Sequence, residues 1–183
     1  MTDSPNTVNK IRNLVIALVA IALAITLVFA SQTKVSSQSL EAQAQKATNL
    51  DIALNNGKPS LVEFYANWCT SCQAMAGDLA QLKENFEDKI NFVMLNVDNS
   101  KWLPEILNYG VDGIPHFVFF NENGDAIADT IGEQPLTIFE ENLQALLNHQ
   151  PLPYANSRGN ISAFNPAANK LQTGNQDNPR DHR

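Results

Sequence analysis

Two cysteines, Cys69 and Cys72, stand where an apolar strand pattern meets a helical pattern, and the chain of 183 residues has no others. Residues 61–65 have the composition of a buried strand, and the apolar spacing over 69–86 predicts a helix. Cys69 is therefore expected at a helix N-terminus. There, unpaired N–H groups and the helix dipole stabilise a thiolate.

The spacing of the two cysteines predicts redox chemistry. A thiolate is the attacking species in disulfide exchange, and Cys72 follows nearly one helical turn later on the same face. We expect Cys72 to be the more deeply buried thiol and close enough to Cys69 to form a disulfide. Two alternatives stay open: two core thiols, or half of a zinc site completed by two of the histidines, which are His116, His149 and His182.

The pattern from residue 40 to 149 alternates helices with strands. Such alternation predicts an α/β fold, a mixed sheet with helices on both faces. The Asn-Gly turn at 123–124 predicts that the last two strands form an antiparallel hairpin. The predicted elements are a helix over 40–55, a strand 61–65, a helix 69–86, a strand 90–97, a short helix 102–108, strands 117–120 and 126–131, and a helix 136–148.

An uncharged apolar run occupies residues 14–30, about 25 Å of helix at 1.5 Å per residue. This length favours a retained transmembrane anchor over a cleaved signal, although Val28-Phe29-Ala30 is an acceptable cleavage site. Lys10 and Arg12 precede the run. By the positive-inside rule, residues 1–13 are cytoplasmic and the remainder is delivered across the membrane.

These patterns divide the chain into five segments. After the N-terminus (1–13) and the anchor (14–30) come a polar tether that becomes helical at residue 40 (31–49), a globular domain (50–149) and an irregular polar extension (150–183). The globular domain carries 15 acidic and 4 basic residues, within a net charge of −7 for the whole chain. Such an acidic domain argues against binding to nucleic acid or to an anionic lipid surface.

The segment that ends in Trp68-Cys69-Thr70-Ser71-Cys72, followed by Gly113-Ile114-Pro115 and then Gly132, resembles the thioredoxin family. The resemblance covers residues 50–149. It implies a thioredoxin fold and a dithiol–disulfide active site that needs no cofactor or metal beyond the Cys69–Cys72 pair.

The same resemblance implies that Pro115 is a cis-proline facing the cysteines. It further implies that Trp68, Ile114 and Gly132 form a shallow groove with Pro115, in which a substrate chain lies extended against the Ile114 backbone. His116 is expected at the rim of this groove, as a strand-end residue.

Glu63 interrupts the apolar strand that should be central in the sheet. Burial of a carboxyl group raises its pKa, and the resemblance implies that Glu63 exchanges the proton of Cys72. The alternative is a glutamate whose carboxylate reaches solvent at the strand end. Met94 stands where many thioredoxins have a lysine near this acid, so we expect Glu63 to lack a positive partner. Thr70-Ser71 and Gly77 also depart from the family pattern, at positions that bear on the redox potential.

With its anchor and the tail motifs at 152–155 and 178–182, the whole chain resembles the membrane-anchored TxlA-type thioredoxin-like proteins of cyanobacteria and plastids. This implies a disulfide reductase in the thylakoid lumen or periplasm that acts on protein thiols and disulfides. Its substrates would be the cysteines of apocytochromes before haem attachment, and a CcdA-type membrane protein would supply electrons.

Three other functions stay open from the chemistry alone. Dithiol exchange is reversible, so the chain could act as an oxidase or isomerase of exported proteins. Cys69, Cys72 and His116 offer soft ligands that suit Cu(I). The domain and its tail could also be a redox-silent assembly scaffold.

Overall fold

A computed structural model describes residues 5–163 of the chain. The helices are α1 (Pro5–Gln38), α2 (Leu40–Lys46), α3 (Leu50–Ala53), α4 (Thr70–Phe86), α5 (Leu103–Asn108) and α6 (Leu136–Leu147), with a 3₁₀ turn at Ser100–Trp102. The strands are β1 (Ser60–Tyr65), β2 (Asn91–Asn96), β3 (Gly113–Ile114), β4 (His116–Phe120), β5 (Ala126–Ile131) and β6 (Ser162–Ala163).

The described part of the chain divides into two units between Ser37 and Gln38. Within α1, the 19 residues Asn9–Leu27 are long and apolar enough to cross a membrane. Helix α1 continues through residues 31–38, where we expected a tether that becomes helical only at residue 40. That stretch contains neither glycine nor proline, so nothing in it interrupts the helix.

The single helix predicted over 40–55 is divided into α2 and α3. Asn49 has an extended backbone, and its side chain accepts a hydrogen bond from the Asp51 N–H at 2.9 Å. Beside it, the Thr48 N–H donates to the Phe92 carbonyl of β2 at 2.8 Å. An asparagine cap and a bond to the sheet therefore compete with continuation of the helix.

The main sheet has the strand order β2-β1-β4-β5. Strands β1 and β2 are parallel, whereas β4 runs antiparallel to both β1 and β5. The predicted mixed sheet and its terminal hairpin are confirmed. Strand β3 was not predicted, and it pairs with β6 in a small second sheet.

Helices cover both faces of the main sheet, as predicted. On one face, apolar residues of α2, α3 and α5 pack against Val62 and Phe64 of β1. On the other face, α4 and α6 pack against Leu61 of β1 and Phe117 of β4, with Phe117 and Phe139 in edge contact at 4.6 Å between ring centroids. Strand β1 is buried along its whole length, and the segment that leaves its end leads directly into α4.

The predicted extension over 150–183 is described as far as residue 163. Residues 150–163 contain little regular structure, as expected, yet their backbone is held against the domain. Arg158 pairs with Ile131, Asn160 pairs with Glu133, and β6 pairs with β3. Residues 164–183 lie outside the described part of the chain.

Candidate active site

Cys69 and Cys72 form a disulfide at the beginning of α4. The S–S distance is 2.06 Å and the Cα–Cα distance is 5.2 Å. Cys69 is the N-cap residue of the helix, and its Sγ accepts a hydrogen bond from the Cys72 N–H at 3.0 Å. In the reduced protein, the same N–H and the N-terminal end of the 17-residue helix would stabilise a thiolate on Cys69.

Both cysteines are fully buried, each with 0% of its surface exposed. The expected difference in exposure between Cys72 and Cys69 is not seen in this disulfide form, since neither residue has exposed surface. The difference between the two thiols lies in their places on the helix, since Cys69 precedes the first turn and Cys72 belongs to it.

Trp68 stands beside the disulfide with 49% of its surface exposed. Its indole Nε1–H donates to the Asp98 carboxylate, at 3.2 Å from Oδ1 and 3.0 Å from Oδ2. Asp98 follows β2, so the strand parallel to β1 fixes the orientation of the indole. Trp68 thus presents a large apolar surface next to the reacting sulfurs.

Ile114, Pro115 and Gly132 form the other side of the site. The Ile114–Pro115 peptide bond is cis, as the resemblance implied. Ile114 is fully buried in the same apolar cluster as Cys69 and Cys72. The Gly132 N–H donates to the Pro115 carbonyl at 2.7 Å, and Gly132 has a φ of +86°. The structure therefore joins Gly132 to Pro115 and places Ile114 in the cysteine cluster.

Glu63 lies in the middle of β1 and is only 2% exposed, so it does not reach solvent at the strand end. It pairs in register with Met94 of β2 and Phe117 of β4. Burial raises the pKa of the Glu63 carboxyl group, and the nearby Lys83 ammonium opposes this rise without cancelling it. Glu63 is thus a buried acid that holds its proton to a higher pH than an exposed glutamate.

Lys83 of α4 corrects the expectation that Glu63 lacks a positive partner. Its Nζ lies 3.5 Å from Glu63 Oε2, 3.2 Å from Met94 Sδ and 2.8 Å from Gln43 Oε1. Glu63 therefore has a lysine beside it, although that lysine is on α4 and the expected position on β2 is occupied by Met94. Burial lowers the pKa of Lys83, and the Glu63 carboxylate opposes this effect.

The position of Lys83 could have been found in the sequence. It follows Cys72 by eleven residues, and three helical turns span about 10.8 residues, so the two side chains lie on one face of α4. Gln43, in contrast, carried no such signal. Its amide group donates to the Ala76 carbonyl at 2.8 Å, and this bond places Gln43 Oε1 beside Lys83.

His116 is not at a groove rim, because it is 98% buried within β4. Its ring packs edge-on against Phe64 at 5.9 Å between centroids, and its Nε2 lies 3.5 Å from Asp129 Oδ2. Burial lowers the pKa of His116, and Asp129 opposes this effect. The residue belongs to the sheet interior because it opposes Phe64 in register, on the face that α2, α3 and α5 cover.

The other residues weighed for a metal site are dispersed. His149 is exposed and pairs with Glu122 at 2.8 Å, and His182 lies outside the described residues. Between residues 5 and 163, no three His, Cys, Asp or Glu side chains are grouped so that they could hold a metal ion.

The family profile described as Thioredoxin matches residues 41–145, more than half of the chain. The chain belongs to the thioredoxin family. Its cysteine pair, placed at the start of α4, makes it a dithiol–disulfide oxidoreductase.

The chain is also similar to curated relatives along most of its length. It is 56% identical over 173 residues to "Thiol:disulfide interchange protein TxlA homolog" of Synechocystis sp., with 94% of each chain covered. It is 46% identical over 182 residues to "Thiol:disulfide interchange protein TxlA" of Synechococcus elongatus, covering 100% of this chain and 95% of that one. It is 40% identical to "Thioredoxin-like protein HCF164, chloroplastic" of Arabidopsis thaliana over 87% of this chain and 61% of that protein. The similarity to these TxlA-type proteins thus extends beyond the thioredoxin domain.

Proposed function

We propose that this thioredoxin-family protein is a membrane-anchored disulfide reductase that works on the lumenal or periplasmic side of its membrane. The Cys69–Cys72 disulfide at the start of α4 is the observation that carries the proposal. The membrane-spanning length of Asn9–Leu27 supports the anchor. The similarity to proteins named TxlA and to a chloroplastic relative supports the setting.

The reaction begins with the reduced protein. The Cys69 thiolate attacks one sulfur of a substrate disulfide, which forms a mixed disulfide and releases the first substrate thiolate. The Cys72 thiolate then attacks Cys69 Sγ and releases the second substrate thiolate. Two electrons pass to the substrate, and the protein is left with the Cys69–Cys72 disulfide.

Glu63 serves the second step of this reaction. Cys72 must lose a proton before it can attack, and the raised pKa of Glu63 makes its carboxylate a stronger base than that of an exposed glutamate. Lys83 is a positioning residue, because its ammonium group favours the ionised carboxylate that accepts the proton. Trp68, Ile114, Pro115 and Gly132 bind the substrate chain beside the sulfurs.

The flanking charges of the anchor support the proposed orientation. Lys10 and Arg12 lie at the N-terminal end of the candidate span, and positive charge is retained in the cytoplasm or stroma. Residues after the span are then delivered into an oxidising compartment, where a dithiol reductant has to be recharged from across the membrane. A CcdA-type membrane protein is the proposed electron donor.

Apocytochromes are the proposed substrates. A c-type haem is attached at a Cys-x-x-Cys-His motif, and both thiols must be free when haem is joined to them. In an oxidising compartment such closely spaced cysteines form disulfides, so a reductase has to open them. The proposed role of the protein is therefore in c-type cytochrome maturation.

Protease protection in sealed membrane vesicles of known sidedness tests the topology. The redox potential of the protein tests the direction of electron flow. Protease added to the cytoplasmic face should leave residues 50–149 intact. The redox potential should be low enough for the reduced protein to open the disulfide of an apocytochrome peptide. Cleavage of the domain from the cytoplasmic face would contradict the proposed orientation. A potential that leaves the peptide oxidised would favour an oxidase instead.

A further inference from the structure

The backbone edge next to the cysteines is already occupied by the chain itself. In β3, Ile114 pairs with Ser162 and Gly113 pairs with Ala163, both antiparallel. Strand β3 is only two residues long, and it leads directly into Pro115. One edge of a strand can pair with one partner at a time. A substrate chain therefore cannot pair with Ile114 while Ser162 does.

Residues 156–163, here named the strap, are held along the path from β5 to β3. The first two bonds run along β5: the Asn156 N–H donates to the Asp129 carbonyl at 2.7 Å, and the Ile131 N–H donates to the Ser157 carbonyl at 2.9 Å. The next two continue past the strand end: Gly159 N–H to the Ile131 carbonyl and Glu133 N–H to the Asn160 carbonyl, both at 2.7 Å. The strap thus passes over Gly132 before it reaches Ile114.

Two glycines permit this close approach. A Cβ atom on Gly132 would lie 2.6 Å from the Gly159 carbonyl oxygen, and one on Gly159 would lie 1.8 Å from the Glu133 carbonyl oxygen. Neither contact could be relieved by rotation of a side chain, because the opposing atoms are backbone. The two segments therefore fit together only with glycine at both positions.

We propose that the strap fills the substrate groove as an internal strand, and that a polypeptide disulfide reaches Cys69 only by displacing it. This inference rests on the proposed binding of substrate along Ile114. It adds that the strap competes with the substrate for pairing with the Ile114 backbone. The partner that fits is an extended polypeptide with free backbone N–H and C=O groups, which adds as a strand in place of Ser162 and Ala163. A small disulfide without a peptide backbone does not compete with the strap.

The expected effect follows from the fraction of molecules in which the strap is displaced. An attached segment competes at an effective concentration in the millimolar range, and the structure has the strap paired with β3. The apparent affinity for a substrate falls in proportion to the open fraction. If the open form is about a tenth of the population, release of the strap should raise the rate with a peptide disulfide about tenfold.

Gly159→Ala in the full-length chain tests the proposal, since its methyl group forces the strap away from Glu133. Gln144→Ala is the matched control, because Gln144 is an exposed residue of α6 that the proposed reaction does not use. A second pair keeps the test decisive if the substitution is accommodated: a chain that ends at Asn156 lacks the remainder of the strap, and a chain that ends at Ala163 retains it.

Two probes release the same coloured thiolate, thionitrobenzoate. One is its mixed disulfide with a short unstructured cysteine peptide, and the other is the small disulfide dithiobis(nitrobenzoate). We expect Gly159→Ala and the chain ending at Asn156 to react about tenfold faster with the peptide probe and unchanged with the small one. Both controls should match the wild type.

Unchanged or slower reaction with the peptide probe in both strap-released proteins would overturn the proposal, and so would equal acceleration with both probes. Failure of the wild type to reduce even the small disulfide would instead contradict the proposed reductase function. The two failures are therefore distinguishable.

Discussion

The two sides of the Cys69–Cys72 disulfide are built in different ways. The near side is one continuous stretch, in which β1 leads through Trp68 into α4 within a few residues. The far side combines Pro115, Gly132 and the strap, which are distant from one another in sequence and are joined by backbone hydrogen bonds.

This difference separates reactivity from access. The near side holds the groups that act on the sulfurs, and a strand followed by a helix is enough to position the cysteines. The far side determines which substrates reach the disulfide. A polypeptide can pair with the backbone of β3 only when the strap does not. Substitutions on the near side should therefore affect every disulfide substrate, and those on the far side should depend on the substrate.

The largest effect is expected from Cys72→Ser, which removes the second attack. The variant should lose turnover completely and accumulate a mixed disulfide on Cys69 with peptide and small substrates alike, since Cys72 normally releases both. Mass spectrometry of the trapped species checks this. Cys69→Ser is the control and should trap nothing. Trapping by Cys69→Ser would mean that Cys72 is the attacking thiol.

Glu63→Gln should slow release of the mixed disulfide more than its formation. General-base assistance is typically worth about 10²–10⁴-fold, and thiols ionise readily, so we expect about 10- to 100-fold on release alone. Rapid mixing with a fluorescent disulfide separates the two steps. Because Glu63 belongs to the near side, the defect should be the same for peptide and small disulfides. Equal slowing of both steps would show that Glu63 has a structural role only.

Alanine substitutions at Gly132, on the far side, and at Gly77, on the near side, should have opposite effects on stability. Gly132→Ala adds a Cβ at a φ of +86° and against the strap backbone, so the free energy of unfolding should fall by about 1–3 kcal/mol. Gly77→Ala lies in an open position of α4 and should raise it by about 0.5–1 kcal/mol. Urea denaturation measures both. Equal effects would mean that the strap does not constrain Gly132.

Lys83→Met should shift the pH profile of mixed-disulfide release. Lys83 opposes the rise in the Glu63 pKa, so its removal raises that pKa further, and the release rate should increase only at higher pH. We expect a few-fold slower release at the lower end of the pH profile and a smaller difference at its upper end. Lys89→Met, an exposed lysine after α4, is the matched control. An unshifted profile would contradict the positioning role.

The smallest effect concerns stability and pH. The folded-state pKa of Glu63 is raised above 4.5, so the folded protein binds its proton more tightly than the unfolded chain. Its contribution to stability is full below pH 4.5 and is lost as the pH rises through the folded-state pKa. Thermal unfolding should therefore show a smaller decline in stability over that range for Glu63→Gln than for the wild type. Parallel curves would place the carboxyl group in solvent.

Much of the fold could be predicted because its signals are local. The apolar strand at 60–65, the helix after Cys69 and the Asn-Gly hairpin each depend on neighbouring residues, and the structure has all three. The division of the 40–55 helix was missed because it depends on a bond from Thr48 to β2, which no local pattern contains.

The buried charges were harder to predict. The sequence pointed to Glu63 because a carboxyl group interrupts an apolar strand. Its partner Lys83 was missed because a lysine was expected on β2, although the spacing of Lys83 from Cys72 on α4 could have pointed to it. His116 was assigned to a rim because strand-end position alone does not show burial, which here results from packing against Phe64.

The sequence by itself determined the reactive pair, the acid in β1 and an apolar N-terminal helix, because each follows from residue type and spacing within a few turns of chain. Only the tertiary structure decided that Lys83 contacts both Gln43 and Met94 and that Ser162 pairs with Ile114. Those contacts join segments tens of residues apart. Residues 156–163 are held by backbone hydrogen bonds. Every residue type can form such bonds, so the pattern of side chains does not reveal them.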